Sequence, residues 1–390
     1  MSALKIALIR QKYNAAGGAE RFVSRAMREL AQQGASVTLI TRQWSDAAGQ
    51  AVVELTPWYL GGTWRDWSFA RAVCRHLQTT TYDLVQSHER LGCCDLFRAG
   101  DGVHREWLAQ RGRARNVLHR MAMYCNPHHD YLLRAERRMF ESPRLRAVIC
   151  NSRMVRDEIL RYYAIAPDKL EVIYNGVDLE EFNPAKREAG RHAMRAKLGI
   201  SENMLTLVHV GSGFERKGVA VLLRAVASAP APCHLIVLGR DKHETRYRRL
   251  AAKLRIENRV HFMGAQADTK AYYAAADAFA MASLYEPFAN ASMEALAMGL
   301  PVVTSTKSGA AEILEKHKTG YVCDALDVDA FAAAINALAD RDKRIAMGIA
   351  ARQLAERFSL AAMTRQLLEL YQRLLKSPTL GSMSSSRPLS

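Results

Sequence analysis

Between Ser283 and Ser305 the chain reads Ser-Leu-Tyr-Glu-Pro-Phe-Ala-Asn-Ala-Ser-Met-Glu-Ala-Leu-Ala-Met-Gly-Leu-Pro-Val-Val-Thr-Ser. Pro287 disfavours helix at Glu286, so Glu286-Pro287-Phe288 is a loop. From Asn290 or Ala291 good helix formers run to Gly299, which stops the helix. Pro301–Thr304 then forms a short buried strand. A loop, a helix and a buried strand in that order belong to an α/β sheet. Glu286 falls just ahead of the helix N-terminus and Glu294 near its first turn. The free N–H groups there, at the positive end of the helix dipole, suit an anionic ligand. The two flanking carboxylates suit hydroxyls, those of a sugar and of a ribose. The stretch therefore reads as a nucleotide-sugar site.

The same alternation recurs along the chain. Lys5–Ile9 is a strand, followed by a Gly17-Gly18 turn, an amphipathic helix with Phe22, Val23, Ala26, Met27 and Leu30 inward, and a second strand at Val37–Thr41. The turn is not spaced as Gly-x-Gly-x-x-Gly, so no dinucleotide fingerprint is present. Its glycines allow a ligand close to the backbone. Residues 44–68, with Trp44, Trp58, Trp64 and Trp67, read as an aromatic loop region. Strands follow at Tyr82–His88, Leu145–Cys150 and Leu170–Ile173. Residues 179–202 are polar and charged, as a linker would be. A second α/β pattern begins at Thr206–Val210 and leads into Gly211-Ser212-Gly213-Phe214-Glu215-Arg216-Lys217-Gly218, a turn that can hold phosphate oxygens with backbone amides and two cations. An amphipathic helix at 360–376 precedes a Ser/Pro-rich tail expected to be disordered.

At 390 residues the chain fits two domains of about 180 residues better than one. The expected division is 1–180, 181–359 and a tail at 377–390, with helix 360–376 packing back on the first part. No apolar run reaches the roughly 20 residues that cross a bilayer. Leu4–Arg10 is too short for a secretory segment and reads as a buried strand. The seven cysteines include no Cys-x-x-Cys pair, which favours reduced thiols in a cytosol over a disulfide framework or a zinc site. Adjacent His128 and His129 lack a usual metal-ligand spacing on a helix.

The net charge of +16, from 55 Lys+Arg against 39 Asp+Glu, calls for an anionic partner. The densest basic run lies in residues 105–146, where Arg105, Arg111, Arg113, Arg115, Arg120 and Arg134 alternate with Trp107, Leu118 and Met121. That mixture suits the surface of an anionic membrane. No nucleic-acid-binding module is recognisable, so nucleic acid is not the expected partner.

Glu286 and Glu294 with Pro-Phe after the first and Gly-Leu-Pro-Val after the second, joined to the Arg216-Lys217 turn, resemble the family 4 retaining glycosyltransferases. The segment Asp95–His104 after the third strand resembles the branch that adds glucose to the inner-core heptose of lipopolysaccharide. The resemblance implies two doubly wound Rossmann-like domains facing across a cleft, the GT-B arrangement, with ligands at the carboxyl ends of the strands. It implies transfer of a hexose, glucose from UDP-glucose, to a lipopolysaccharide core sugar at the cytoplasmic face of the inner membrane, without a metal or other cofactor. UDP-galactose, UDP-N-acetylglucosamine and GDP-mannose stay open as donors, and a nucleotide-sugar epimerase or a sugar phosphorylase shares the fold. In this reading Arg216 and Lys217 meet charge on the departing diphosphate. Glu286 binds a donor-sugar hydroxyl and Glu294 the ribose, helped by the backbone of Phe288, Ala289, Asn290 and Ala291. Gly17 and Gly18 lie under the sugar diphosphate, Gly213 shapes the phosphate turn, Asp101 lies near the acceptor hydroxyl, and His104 is a weaker acceptor-side candidate.

Overall fold

The computed structural model describes residues 4–12, 34–43 and 51–376. The Gly17-Gly18 turn, the helix expected after it, Trp44 and the Ser/Pro-rich tail lie outside the described residues. The described chain forms two parallel sheets. The first has β1 (Lys5–Ile9), β2 (Ser36–Thr41), β3 (Ala51–Glu54), β4 (Leu84–Ser87), β5 (Leu96–Arg98), β6 (Ala147–Cys150) and β7 (Leu170–Val172), in the order β3-β2-β1-β4-β5-β6-β7. The second has β8 (Leu205–Val210), β9 (Cys233–Leu238), β10 (Val260–Gly264), β11 (Ala278–Met281), β12 (Val302–Ser305) and β13 (Gly320–Cys323), in the order β10-β9-β8-β11-β12-β13. Every strand pairing is parallel. In each sheet the order reverses beside its first strand, so both are doubly wound. Strands β4, β6, β11 and β12 are buried throughout, and β6 (Ala-Val-Ile-Cys) and β11 (Ala-Phe-Ala-Met) are the uninterrupted apolar runs expected of a sheet covered on both faces.

Helices cover both sheets. In the first domain they are α1 (Gly61–Thr79), α2 (His104–Arg113), α3 (Val117–Tyr124), α4 (Pro127–Phe140) and α5 (Arg153–Tyr162). In the second they are α6 (Arg187–Leu198), α7 (Val219–Ser228), α8 (Glu244–Lys253), α9 (Lys270–Ala275), α10 (Asn290–Ala297), α11 (Val328–Ala337) and α12 (Arg341–Glu356). The last helix, α13 (Leu360–Lys376), returns to the first sheet. Its Met363, Leu367, Leu370 and Tyr371 share a core with Ile6, Leu8, Leu84 and Ile149.

Three expectations need correction. Residues 44–68 are not all loop: β3 occupies Ala51–Glu54 and α1 begins at Gly61. Residues 179–202 are not a featureless linker, because α6 lies within them. Its polar character has a structural use: Arg195 is fully buried and donates to the carbonyls of Ala275, Ser201 and Met204 and to Asp277. The cysteines are not all free thiols either. Cys74 of α1 and Cys93 of the loop after β4 form a disulfide, which ties that helix to the β4–β5 connection.

Candidate active site

A cleft of about 440 Å3 opens between the carboxyl ends of the two sheets. The first domain lines it with Arg98, Gly100, Asp101, Asn151 and Asn175, each at or just past the end of β5, β6 or β7. The second domain contributes the turn after β8, the end of β9, the loop after β10, and the stretch from Glu286 to Glu294.

Lys217 and Glu286 meet at the floor. Lys217 Nζ bonds Glu286 Oε2, and Arg216 Nη1 donates to the same oxygen at 2.7 Å. Backbone bonds fix both partners: Leu284 N–H donates to the Arg216 carbonyl at 2.9 Å, and Glu286 N–H to that of Lys307 at 2.9 Å. Burial opposes the Glu286 charge, but Lys217 and Arg216 outweigh it and hold the carboxyl down at about 2. Burial pushes the Lys217 ammonium down, and Glu286 restores only part of its basicity. Two cations share one carboxylate, so the trio carries a net positive charge into the cleft.

Asn290–Ala297 is a helix whose N-cap, Ala289, has no side chain to occupy the first amides. Those amides remain for a ligand at the positive end of the dipole. Phe288 and Ala289 are buried in the wall, Phe288 against Tyr174. One turn along, Glu294 is buried with Oε2 accepting from Tyr273 Oη at 3.0 Å.

Of the residues singled out from the sequence, Asp101, Lys217, Glu286, Phe288, Ala289, Asn290, Ala291 and Glu294 all line this cleft. Asp101 stands on the first-domain wall, mostly exposed, with Arg10 Nη1 at 3.8 Å. Arg216 is not in the lining and joins the site through its bond to Glu286. Gly213 is not in the lining; Gly211 and Ser212 take that place, while Gly213 turns the chain at φ 78°. His104 is turned away from the cleft. Its Nε2 lies 3.1 Å from His129 Nδ1, and its backbone N–H donates to Glu136. Gly17 and Gly18 lie outside the described residues.

Sequence reasoning missed Arg98, Asn151, Asn175, Gln266 and Thr269. Arg98 Nη2 donates to Asn175 Oδ1 at 2.7 Å, and Asn175 Nδ2 donates to Asn290 Oδ1 at 2.7 Å, a polar chain from β5 to the N-terminus of α10. Burial pushes the Arg98 guanidinium down to about 9. The available signal was position: each is a polar residue at the carboxyl end of a strand or in the loop beyond it.

The basic segment 105–146 divides on inspection. Arg111 and Arg115 both pair with Glu215, and Arg113 pairs with Asp324 at 2.8 Å, so these three reach into the second domain. Within the segment, exposed apolar residues beside a basic one are confined to a narrower surface than expected, on α3, where Val117, Leu118 and Met121 are 59%, 77% and 61% exposed beside Arg120. Among the described residues no helix is long and apolar enough to cross a membrane.

Comparison with known proteins agrees with this geometry. Residues 190–354 match the family described as Glycosyl transferases group 1, and residues 16–181 match Glycosyltransferase Family 4. A D-inositol 3-phosphate glycosyltransferase of Streptomyces scabiei is 30% identical over 74% of this chain and 68% of its own length. The alignment to the Corynebacterium kroppenstedtii enzyme of that name spans only 52% of that relative. Lipopolysaccharide glucosyltransferase WaaG of Escherichia coli is 26% identical over 81% of this chain and 84% of its own. A crystal structure of WaaG superposes with a TM-score of 0.82, at 22% identity, over 94% of this chain and 99% of that one. Anabaena HepE in complex with UDP-glucose superposes with a TM-score of 0.76, at 20% identity, over 95% and 100%.

Proposed function

The chain belongs to glycosyltransferase family 4, and from that premise we propose that it moves glucose from UDP-glucose to a core sugar of lipopolysaccharide. The observation that carries this reading is the meeting of Lys217, Glu286, Glu294 and the open N-terminus of α10 in one cleft, opposite Asp101. The diphosphate would lie over Lys217 and the Gly211-Ser212 turn. There fixed positive charge meets the charge that grows on the leaving group, at no reorganisation cost during the reaction. Arg216 acts with Lys217, and Glu286 keeps both cations oriented until a donor hydroxyl competes for its second oxygen. Glu294 takes the ribose hydroxyls. Asp101, on the opposite wall, faces the acceptor hydroxyl. With two cations supplying this charge, the reading needs no metal. UDP as the nucleotide is supported by the likeness to HepE, and glucose and the lipopolysaccharide acceptor by the likeness to WaaG.

A second acceptor class has an observation in its favour: relatives at about the same identity are D-inositol 3-phosphate glycosyltransferases. For either acceptor, the exposed apolar stripe of α3 with Arg120 is the proposed contact with an anionic membrane surface, placing the enzyme peripherally on the cytoplasmic face. Incubation with UDP-glucose and a purified heptose-containing core acceptor, with inositol phosphate in parallel, tests the reading. UDP release and glucosylated core are expected, unchanged by EDTA. Product on inositol phosphate alone would overturn the lipopolysaccharide assignment, and turnover only with another nucleotide sugar would overturn glucose.

A further inference from the structure

The residue before Glu286 reaches into the other domain. Tyr285 Oη accepts from Val103 N–H at 2.9 Å and donates to Glu158 Oε2 at 2.7 Å. Both residues are buried, Tyr285 at 2% and Glu158 at 3% exposure. Gly102, between Asp101 and Val103, has φ 69°, and a Cβ there would lie 2.3 Å from Tyr285 Oη and 2.7 Å from Pro287 Cγ. Lys307 completes the cluster from the second domain, with Nζ 2.6 Å from Glu106 and 3.1 Å from Glu158. Glu106 is itself bonded by Tyr162 Oη at 2.6 Å and Gln110 at 2.7 Å. Two buried carboxylates of the first domain are thus served by a hydroxyl and an ammonium of the second. With the domains apart each group would be hydrated; together they satisfy one another, and removing one partner leaves a buried polar group unpaired.

The position of this cluster matters. Tyr285 is bonded in sequence to Glu286, and its hydrogen-bond partner Val103 lies two residues from Asp101. A single hydroxyl therefore ties the donor-side loop to the acceptor-side loop. We propose that Tyr285 is a positioning residue: its hydroxyl sets the spacing between the Asp101 and Glu286 loops, and with Glu158 and Lys307 it latches the two domains in the closed arrangement. The catalytic consequence rests on the glycosyl-transfer reading above; the latch itself does not. Because Glu294 and the Gly211-Ser212 turn lie within the second domain, the latch governs transfer to the acceptor far more than nucleotide affinity.

Tyr285→Phe keeps the ring and its packing and removes both hydrogen bonds. Gly102→Ala is the second variant. All three of the nearest atoms its Cβ would meet belong to the second domain, so beyond the backbone strain of an alanine at φ 69° it wedges the interface. Circular dichroism confirms that each variant is folded. Small-angle scattering of the ligand-free proteins should give a larger radius of gyration for both variants than for wild type. With donor and acceptor, Tyr285→Phe should lower kcat at least tenfold while UDP affinity by calorimetry stays within twofold. An unchanged scattering profile in both variants overturns the latch, and wild-type kcat in Tyr285→Phe overturns the positioning role. If wild-type protein turns over no nucleotide sugar, the glycosyl-transfer reading fails, and the scattering comparison still decides the latch.

Discussion

Lys217 has little freedom to move. Gly218, next in the chain, has φ 71°, and a Cβ there would lie 1.8 Å from the Ala282 carbonyl oxygen, so the turn is pressed against the strand end that leads to Glu286. A rigid cation is worth most where charge develops during the reaction. Lys217→Ala is expected to lower kcat by ~10²-fold or more, with a much smaller change in acceptor KM. Steady-state kinetics check this, and turnover within a few-fold of wild type would remove Lys217 from the leaving-group role. Glu294 makes a different kind of contribution. Its bond from Tyr273 survives in Glu294→Gln, whose amide oxygen still accepts, so the fold should persist. A charge-assisted bond to a ribose hydroxyl is lost, worth about 1.5–3 kcal/mol. Calorimetry with UDP alone should show that loss, and unaltered affinity would exclude the ribose assignment.

Among the elements, α3 best separates charge from position. It is the helix that offers Val117, Leu118 and Met121 to solvent, whereas Arg111, Arg113 and Arg115 are engaged with Glu215 and Asp324 across the interface. Leu118→Ser with Met121→Ser and Arg120→Gln should therefore reduce co-sedimentation with phosphatidylglycerol vesicles and leave UDP binding intact. Each basic residue at an anionic surface contributes roughly 1 kcal/mol, so wild-type binding should weaken as salt rises. Equal binding of variant and wild type would make α3 an ordinary exposed helix. The same helix shows where sequence stops being legible. Composition marked the whole segment 105–146 as basic and apolar, but only packing divides it into a solvent-facing helix and a set of cross-domain ion pairs. The stretch from Ser283 to Ser305 was readable because Pro287, Gly299 and Pro301 punctuate it and its strand opens on Val302-Val303. Helix α1 was not: only Ser68, Phe69 and Val73 are buried along it, and Trp64 and Trp67 stay exposed, so its periodicity is faint. Helix α6 was hidden because its arginines bury their head groups on carbonyls at the end of α9, against the usual rule that polar residues face water. In the cleft, motif residues were legible and isolated ones such as Asn151 and Gln266 were not, since no spacing distinguishes them.

At the scale of the whole molecule, the chain order and the domains do not coincide. After the second sheet is complete, the backbone crosses back beside Val177, whose N–H donates to the Phe358 carbonyl at 2.9 Å and whose carbonyl accepts from Leu360 N–H at 3.1 Å. Gly176 lets the two segments touch, since a Cβ there would meet the Leu360 Cα at 2.7 Å. Beyond that crossing, α13 covers one face of the first sheet, and Tyr371 Oη bonds the buried Gln86 of β4. The first domain therefore lacks part of its core until the last helix is made. A chain ended at Ser359 should leave Ile6, Leu8 and Leu84 uncovered and lose protection from hydrogen exchange across β1 and β4, while β8 and β11 stay protected. In the full chain, Leu367→Ala deletes a side chain that is 2% exposed, which typically costs 2–5 kcal/mol. Because a two-domain protein need not unfold in one step, that loss is best read by exchange mass spectrometry resolved by strand rather than from one melting temperature. Faster exchange confined to β1, β4 and their neighbours is the expected outcome. Uniform loss across both sheets would mean that the two domains unfold as one unit, and unchanged exchange would mean that α13 lies on the first sheet without stabilising it.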